Sequence, residues 1–562
     1  MKPFRRETLF YTLAFILALA VRLIRLGAWP LTDSEAGWAL QALHLSQGLH
    51  PALGSQTAYV LLTSVAFFLY GGGTNFLARL IPALVGSLLV FVPLLFKERL
   101  RPRPSVILAF FLALDPGLVA LSREAGSAIL ALTFLFLAWG FWENKKSNWA
   151  GAFFGLALLS GPALWQGLLG LALTWAIRQA WDRAPQTEAA ESPARSEWLS
   201  ALWFTIGTLV IGGTLFFLSP NGLSAWLSSL PEYFSSWRVP SGNSAGYLLF
   251  SLVVYQPLAL ILGLIAIVRG WTQNSARARR LSIWVLVVLL LTLFYPAHQA
   301  ADLAWMIVPL WALAAMELTR NLTIFEDERK EVLGVVSLVV LALVFSWLDF
   351  LALNQTPVPS EQAAMRTWLL IGSLSLLVIS ILLVAVGWSL RSARLGAIWG
   401  LALALGVYSF GMTLGAGGLR VDAGAEMYNA GALPAEADLL QQTVDQTSDI
   451  GKYNINSLPV TIAGINSPAL EWILRGHQIQ IVSLLDASTS PSIVITTAQN
   501  NPSLAAGYRG QSFVWRQSPM WENALIPDWM RWVAFHQLQS SDETIIVWVR
   551  NDLFLDAKPI KP

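Results

Sequence analysis

The chain has 562 residues, 55% of them hydrophobic and only 12% charged, with 26 tryptophans, no cysteine and a formal net charge of +2; its mean hydropathy is +0.57. So much apolar surface does not fit inside one soluble core, and the composition points to a polytopic membrane protein. The missing cysteine excludes disulfides, thiol catalysis and thiolate metal sites, and no polybasic tract suggests a nucleic-acid partner.

The first apolar run, residues 8–26, follows Lys2, Arg5 and Arg6, so its N-terminus is expected in the cytoplasm. Ala18-Leu-Ala20 also resembles a signal-peptide cleavage site, but the many later spans and Arg22 and Arg25 directly after it favour a retained helix. Arg22 and Arg25 are expected to snorkel to the membrane surface. The run ends just before Pro30-Leu-Thr-Asp-Ser-Glu-Ala-Gly-Trp-Ala39, which carries the acidic pair Asp33 and Glu35. Carboxylates beside a bilayer are costly unless water, a partner or chemistry retains them. Thr32-Asp-Ser-Glu35 also fits a capping box, which gives Glu35 a structural task and leaves Asp33 freer for chemistry.

Further spans are read at residues 76–96, 106–121 and 127–142, then at 149–177 with a break at Gly161-Pro162, and at 198–218 and 247–268. The pair 281–295 and 304–318 and the runs 332–353, 368–388 and 395–414 complete about thirteen. Basic loops at 97–103, 143–146 and 269–280 mark the inner side, with a polar inner loop at 178–197. The stretch 219–246, rich in Pro, Ser and aromatics, reads as an outer loop. After Gly415 the sequence turns polar: a helix at 433–447 and β-rich runs at 460–463, 479–484, 492–497, 513–516 and 544–549 predict a small α/β domain. This topology sets the N-terminus in the cytoplasm and the C-terminal domain outside the cell membrane.

The expected outer side collects the chemically distinctive residues: Asp33 and Glu35, then Arg79, Arg123 beside Glu124, Arg238, and His298 with Asp302. Asp115, among apolar residues before Pro116, is expected to be a hydrogen-bonded structural group. An outward carboxylate, outward arginines and a membrane groove suit transfer of a sugar from a lipid-phosphate carrier. The carboxylate takes the acceptor proton and a guanidinium neutralises the departing phosphate.

The acidic motif, Asn75-Phe-Leu-Ala-Arg-Leu-Ile-Pro-Ala83 and Leu121-Ser-Arg-Glu-Ala125 resemble the GT-C membrane glycosyltransferases, among them the protein O-mannosyltransferases and aminoarabinose lipid transferases. The resemblance covers roughly residues 1–320. Ser467-Pro-Ala-Leu-Glu-Trp472 and Trp529-Met-Arg-Trp532 are similar to a bacterial and archaeal flippase-associated branch.

The resemblance implies an α-helical polytopic GT-C fold, with a catalytic module at 1–320, additional helices at 321–417 and an extracytoplasmic α/β domain at 418–562. It also implies an inverting transfer from a polyprenyl-phosphate-sugar donor to a protein, lipid or glycan acceptor. Asp33 and Glu35 are then the catalytic candidates, with Asp33 slightly ahead. Arg79, Arg123, Glu124, Arg238 and His298 are the candidates for phosphate or donor binding. One departure stands out: the family motif has two adjacent acids, and here Ser34 occupies the first position. Some relatives use a divalent metal, but the sequence offers no ligand cluster that predicts one. Two other readings fit: a transporter or flippase partner for lipid-linked glycans, and a catalytically silent scaffold binding glycan or lipid.

Overall fold

The structure, a computed structural model, describes residues 3–181, 195–356, 360–420, 425–429, 431–450, 458–498 and 504–554. Lys2 and most of the expected inner loop at 178–197 lie outside the described residues.

Apolar helices dominate up to Ala416. Among the described residues, five are long and apolar enough to cross a membrane: Asn75–Leu95, Ala300–Arg320, Arg329–Gln355, Glu361–Gly387 and Leu390–Ala416. Two bent pairs raise the number to seven: Pro102–Leu114 with Pro116–Ser122, bent by 56°, and Ala245–Tyr255 with Pro257–Thr272, bent by 93°. The expected thirteen spans are not reached by this measure. Thr57–Tyr70, which the sequence reading passed over, and Ile129–Glu143 are apolar but only 14 and 15 residues long. Helices of that length rise roughly 20 Å against a hydrocarbon core of about 30 Å. The chain is nonetheless a membrane protein, with helices such as Glu361–Gly387 turning apolar side chains outward along most of their length.

The first bend has a local cause. Pro116 has no N–H to give the carbonyl of Leu112, so the helix breaks at Asp115. Asp115 then caps the next segment, accepting from the Leu118 N–H at 2.8 Å and from Trp311 Nε1 at 2.7 Å, a structural role as expected. Arg22 fills the gap: its guanidinium donates to the carbonyls of Leu112 at 3.3 Å and Ala113 at 2.9 Å and to Ser122 Oγ at 3.0 Å. The expectation that Arg22 snorkels is therefore corrected. Arg22 is fully buried because the broken helix offers it carbonyls inside the bundle.

The expected loop at 219–246 contains the helix Asn221–Ser236. Gly222, Ala225, Ser229 and Tyr233 fall on one buried face, a helical period that the Pro and Ser content obscures. The break at Gly161-Pro162 is present between Ser147–Leu158 and Ala163–Trp181, with Gly161 at φ +88°. Ion pairs Lys97–Glu7, Arg99–Glu143 and Arg269–Glu317 gather three of the basic loops at one end of the bundle.

The opposite end carries the α/β domain. Its six strands are β1 (Leu433–Pro434), β2 (Val460–Ala463), β3 (Ile479–Val482), β4 (Ile493–Thr497), β5 (Tyr508–Pro519) and β6 (Ser540–Arg550). They form one mixed sheet in the order β1-β5-β6-β4-β2-β3, with β2 parallel to β3 and β4 and the remaining pairs antiparallel. Trp472, Trp515, Trp521 and Trp532 are buried and build its core and its contact with the bundle. A short segment, residues 425–429, joins the two parts and is itself anchored. Tyr247 donates to the Met427 carbonyl at 2.7 Å, Gln256 Nε2 to the Tyr428 hydroxyl at 3.2 Å, and Tyr255 to the Glu426 carboxylate.

Candidate active site

The helix Asp33–Ser46 begins at the capping box that the sequence suggests. The Glu35 N–H donates to Thr32 Oγ1 at 3.4 Å, and the Thr32 N–H donates to Glu35 Oε2 at 3.1 Å. Glu35 does more than cap. Arg79 grips it through two parallel bonds, Nε to Oε1 at 2.7 Å and Nη2 to Oε2 at 2.6 Å, and the Ala125 N–H adds a third at 3.0 Å. The other Arg79 N–H groups go to the carbonyls of Leu26, Trp29 and Pro30 at 3.4, 2.8 and 3.0 Å. All five donors of Arg79 are thus used inside the protein. Burial pushes the Glu35 carboxyl up, but the Arg79 charge and the four donors outweigh it, leaving Glu35 below the usual carboxylate range. The pair ties the first helix's exit, the acidic motif and the loop after Ser122 into one joint.

Asp33 points the other way, into the α/β domain. It accepts from Ser467 Oγ at 2.6 Å and the Ala469 N–H at 3.1 Å, and it pairs with Arg516 Nη2 at 2.6 Å. Trp472 Nε1 to Asn75 Oδ1 at 2.7 Å and Arg475 Nη2 to the Gly73 carbonyl at 2.9 Å extend the same contact.

Arg123 caps the first helix: Nη1 lies 2.8 to 3.0 Å from the carbonyls of Val21, Arg22 and Ile24, and Nη2 is 3.3 Å from that of Arg25. Arg238 lies exposed beyond the helix Asn221–Ser236. His298 is buried, with Nδ1 2.6 Å from the Tyr295 carbonyl and Nε2 3.0 Å from that of Asn243. Both ring nitrogens thus face backbone oxygens.

Two cavities meet beside these residues. The smaller, about 90 Å³, is polar and lined by Glu35, Arg79, Arg123, Glu124, Arg420 and Glu426, among others. The larger, about 970 Å³, lies under the domain and is lined in part by Trp38, Gln56, Asp302, Tyr428, Trp521 and Glu522. Ser34, Glu124 and Gly431 border both. The structure thus brings Glu35, Arg79, Arg123 and Glu124 to one place, leaves Asp33 at the domain contact, and keeps Arg238 out of both linings.

Glu124 differs from the other carboxylates here. Among the described residues none donates a hydrogen bond to it, it is half-buried, and it borders both cavities. Burial, with the negative charge of Glu35 adding to it, pushes its carboxyl up to about 8, and Arg79 offsets only part of this. The sequence reading missed Arg420 and Glu426, which follow the Gly415-Ala-Gly-Gly418 stretch and read as linker. Charges directly after a span were the available signal. Among the described residues no three His, Asp or Glu side chains gather to hold a metal ion.

No protein-family model and no curated protein matches the chain. Solved structures do. ArnT from Cupriavidus metallidurans bound to undecaprenyl phosphate is similar over 98% of this chain and 99% of its own, at 15% identity and a TM-score of 0.55. Its apo form is similar over 96% and 98%, at 13% identity and a TM-score of 0.54. The chain has the GT-C fold. The oligosaccharyltransferase AglB from Archaeoglobus fulgidus, solved with an inhibitory peptide and a dolichol-phosphate, is similar at 12% identity over 87% of this chain and 69% of its own, with a TM-score of 0.43. The ArnT alignment spans both chains almost end to end, so the GT-C likeness takes in the C-terminal sheet as well as the helices.

Proposed function

We propose that the protein transfers a sugar from a polyprenyl-phosphate carrier to an acceptor hydroxyl at the outer face of the cell membrane, with inversion at the anomeric carbon. The observation that carries the reading is the position of Glu124, a half-buried carboxyl with no hydrogen-bond donor among the described residues, between a large cavity and a small arginine-lined one. The ArnT structure that shares the fold holds undecaprenyl phosphate, which supports a lipid-phosphate donor.

In this reading the acceptor hydroxyl gives its proton to Glu124 as its oxygen bonds to the anomeric carbon. The bond from that carbon to the phosphate oxygen breaks, and the polyprenyl phosphate leaves as an anion. A base whose pKa lies near neutrality suits such a step. Arg420 and Arg123 face the departing phosphate. Arg420 Nη2 donates to the Gly411 carbonyl at 3.0 Å, and among the described residues its other N–H groups have no protein acceptor. Asp33 and Glu35, the sequence's catalytic candidates, act here as positioning residues, because their oxygens already accept from Arg516, Ser467, Ala469, Arg79 and Ala125. Arg79 is likewise a positioning residue. The α/β domain covers the larger cavity and contributes to acceptor choice.

The test is release of polyprenyl phosphate from a panel of polyprenyl-phosphate hexoses in membranes containing the full-length protein. Loss of turnover in Glu124→Gln with donor binding retained supports the assignment. Full turnover in Glu124→Gln overturns it. The saturated state of Asp33 and Glu35 also favours a second reading, a silent GT-C scaffold that binds glycan or lipid. Donor binding without release in the unaltered protein selects that reading.

A further inference from the structure

At the end of the bundle opposite the α/β domain, two cavities of about 850 and 700 Å³ open side by side. Leu100 and Arg277 line both. Arg101, Arg103, Arg269, Arg277 and Arg320 surround the larger one. The smaller has Arg99, Arg178, Arg277 and Arg280 along it and an aromatic wall of Phe96, Phe136, Trp139, Trp175 and Trp284. In each, arginines outnumber carboxylates: Glu7 and Glu317 line the first and Glu98 the second.

Retention of positive charge on the cytoplasmic side does not by itself account for this arrangement. That preference acts on Lys and Arg alike and is indifferent to where they converge. Here Lys97, Lys145 and Lys146 lie near the same end and line neither cavity, so every lining cation is an arginine. The arginines come from separate elements: the link after Phe96, the helix ends at Arg178, Arg269 and Arg320, and the helix start at Ala276. A guanidinium fork matches the oxygens of a phosphate, which an ammonium does less specifically.

Depth agrees with this chemistry. The spans Asn75–Leu95 and Ala300–Arg320 both end at the arginine rim, so the rim lies where hydrocarbon gives way to headgroups. Arg101, Arg103 and Arg277 are exposed there, while Phe136 and Trp284 are buried behind them. Cationic rim and apolar wall together match an amphiphile with a phosphate head and an acyl tail. Basic pockets between helices at this depth take anionic headgroups. We infer that this end of the bundle is a binding site for one anionic phospholipid, its phosphate among Arg103, Arg277 and their neighbours and an acyl chain along the Trp139–Trp284 wall.

The experiment uses the full-length protein in neutral detergent and fluorescent phosphatidylglycerol, with phosphatidylcholine and inorganic phosphate as competitors. Arg103→Gln with Arg277→Gln, both at exposed positions, is expected to weaken phosphatidylglycerol binding about tenfold. Lys145→Gln with Lys146→Gln removes the same charge outside the cavities and is expected to leave binding unchanged. Neither competitor is expected to displace the lipid. Equal weakening by the two double variants means diffuse surface charge and overturns the proposal. So does unchanged binding in Arg103→Gln/Arg277→Gln, competition by phosphatidylcholine, or displacement by inorganic phosphate, which would assign the site to the free ion.

Discussion

Arg516, on the sheet of the C-terminal domain, reaches Asp33 in the first turn of the helix that follows the first span, with Nη2 2.6 Å from Oδ2. The same carboxylate accepts the Ala469 N–H at the start of the helix Pro468–Ile473 and the hydroxyl of Ser467, which caps it. Asp33 is therefore a peg on which the domain hangs. Asp33→Ala should loosen the docking by roughly 1–3 kcal/mol, most of it from the Ser467 and Ala469 hydrogen bonds, since the partly exposed ion pair adds little. Hydrogen exchange on the full-length protein checks this. The Ala469 and Leu470 amides should lose protection while the spans keep theirs, and unchanged protection at Ala469 would remove the peg.

Glu35 and Arg79 are both buried, so removing one partner leaves the other charge stranded. Glu35→Gln should cost about 3–5 kcal/mol, and a second change, Arg79→Met, should recover part of that loss. Thermal unfolding of the single and double variants measures the coupling; additive losses would contradict it. The pH dependence has a definite sign. Glu35 is held below its unfolded value, so its contribution is present above about pH 4.3 and fades as the pH falls through its folded pKa.

Glu124 has the opposite sign. Its carboxyl is raised to about 8, so between about pH 4.3 and 8 the folded protein holds a proton that the unfolded chain releases. Stability should fall as pH rises across that window, and Glu124→Gln should flatten the slope. If Glu124 is the base, turnover in the unaltered protein should climb towards about pH 8. A turnover profile flat from pH 6 to 9 would count against it.

Gly126 has φ +75°, and a Cβ there would stand 2.4 Å from Trp38 Cδ1. Gly126→Ala should cost about 1–2 kcal/mol from the backbone alone and push Trp38 into the larger cavity, which it lines. If the proposed function holds, lower turnover with a lower melting temperature is the expected result; an unaffected protein would mean that the loop adapts freely.

Because the chain has no cysteine, sidedness is open to single-cysteine labelling without background. Leu484→Cys, at a residue 85% exposed in the α/β domain, should react with an impermeant maleimide added to intact cells, and Lys145→Cys only after permeabilisation. The reverse pattern would invert the proposed topology.

Local sequence carried the capping box at Thr32 to Glu35, the break at Gly161-Pro162 and the positions of most strands, because each depends on neighbours a few residues apart. The motifs around Arg79 and Glu124 were legible as a family resemblance, but not what each side chain touches. Whether Arg22 snorkels or is buried depends on carbonyls freed at Leu112 and Ala113, which only the fold supplies. The partner of Asp33 lies in the last third of the chain, beyond any local pattern. Hydropathy does not register a bend: the 93° turn before Pro257 leaves the apolar run unbroken while ending the straight helix.

The smaller cavity has Trp29 on one side and Asn429 and Leu433 on another. A ribosome making this chain must thread almost every apolar helix before those walls can meet. The nascent protein therefore passes through the membrane without its polar chamber, and the chamber closes only as the residues after the final long helix arrive. Carrier lipid encountered earlier would find an open, unfinished cleft, so competence for the proposed reaction arrives only after the residues around Asn429 and Leu433 have been made.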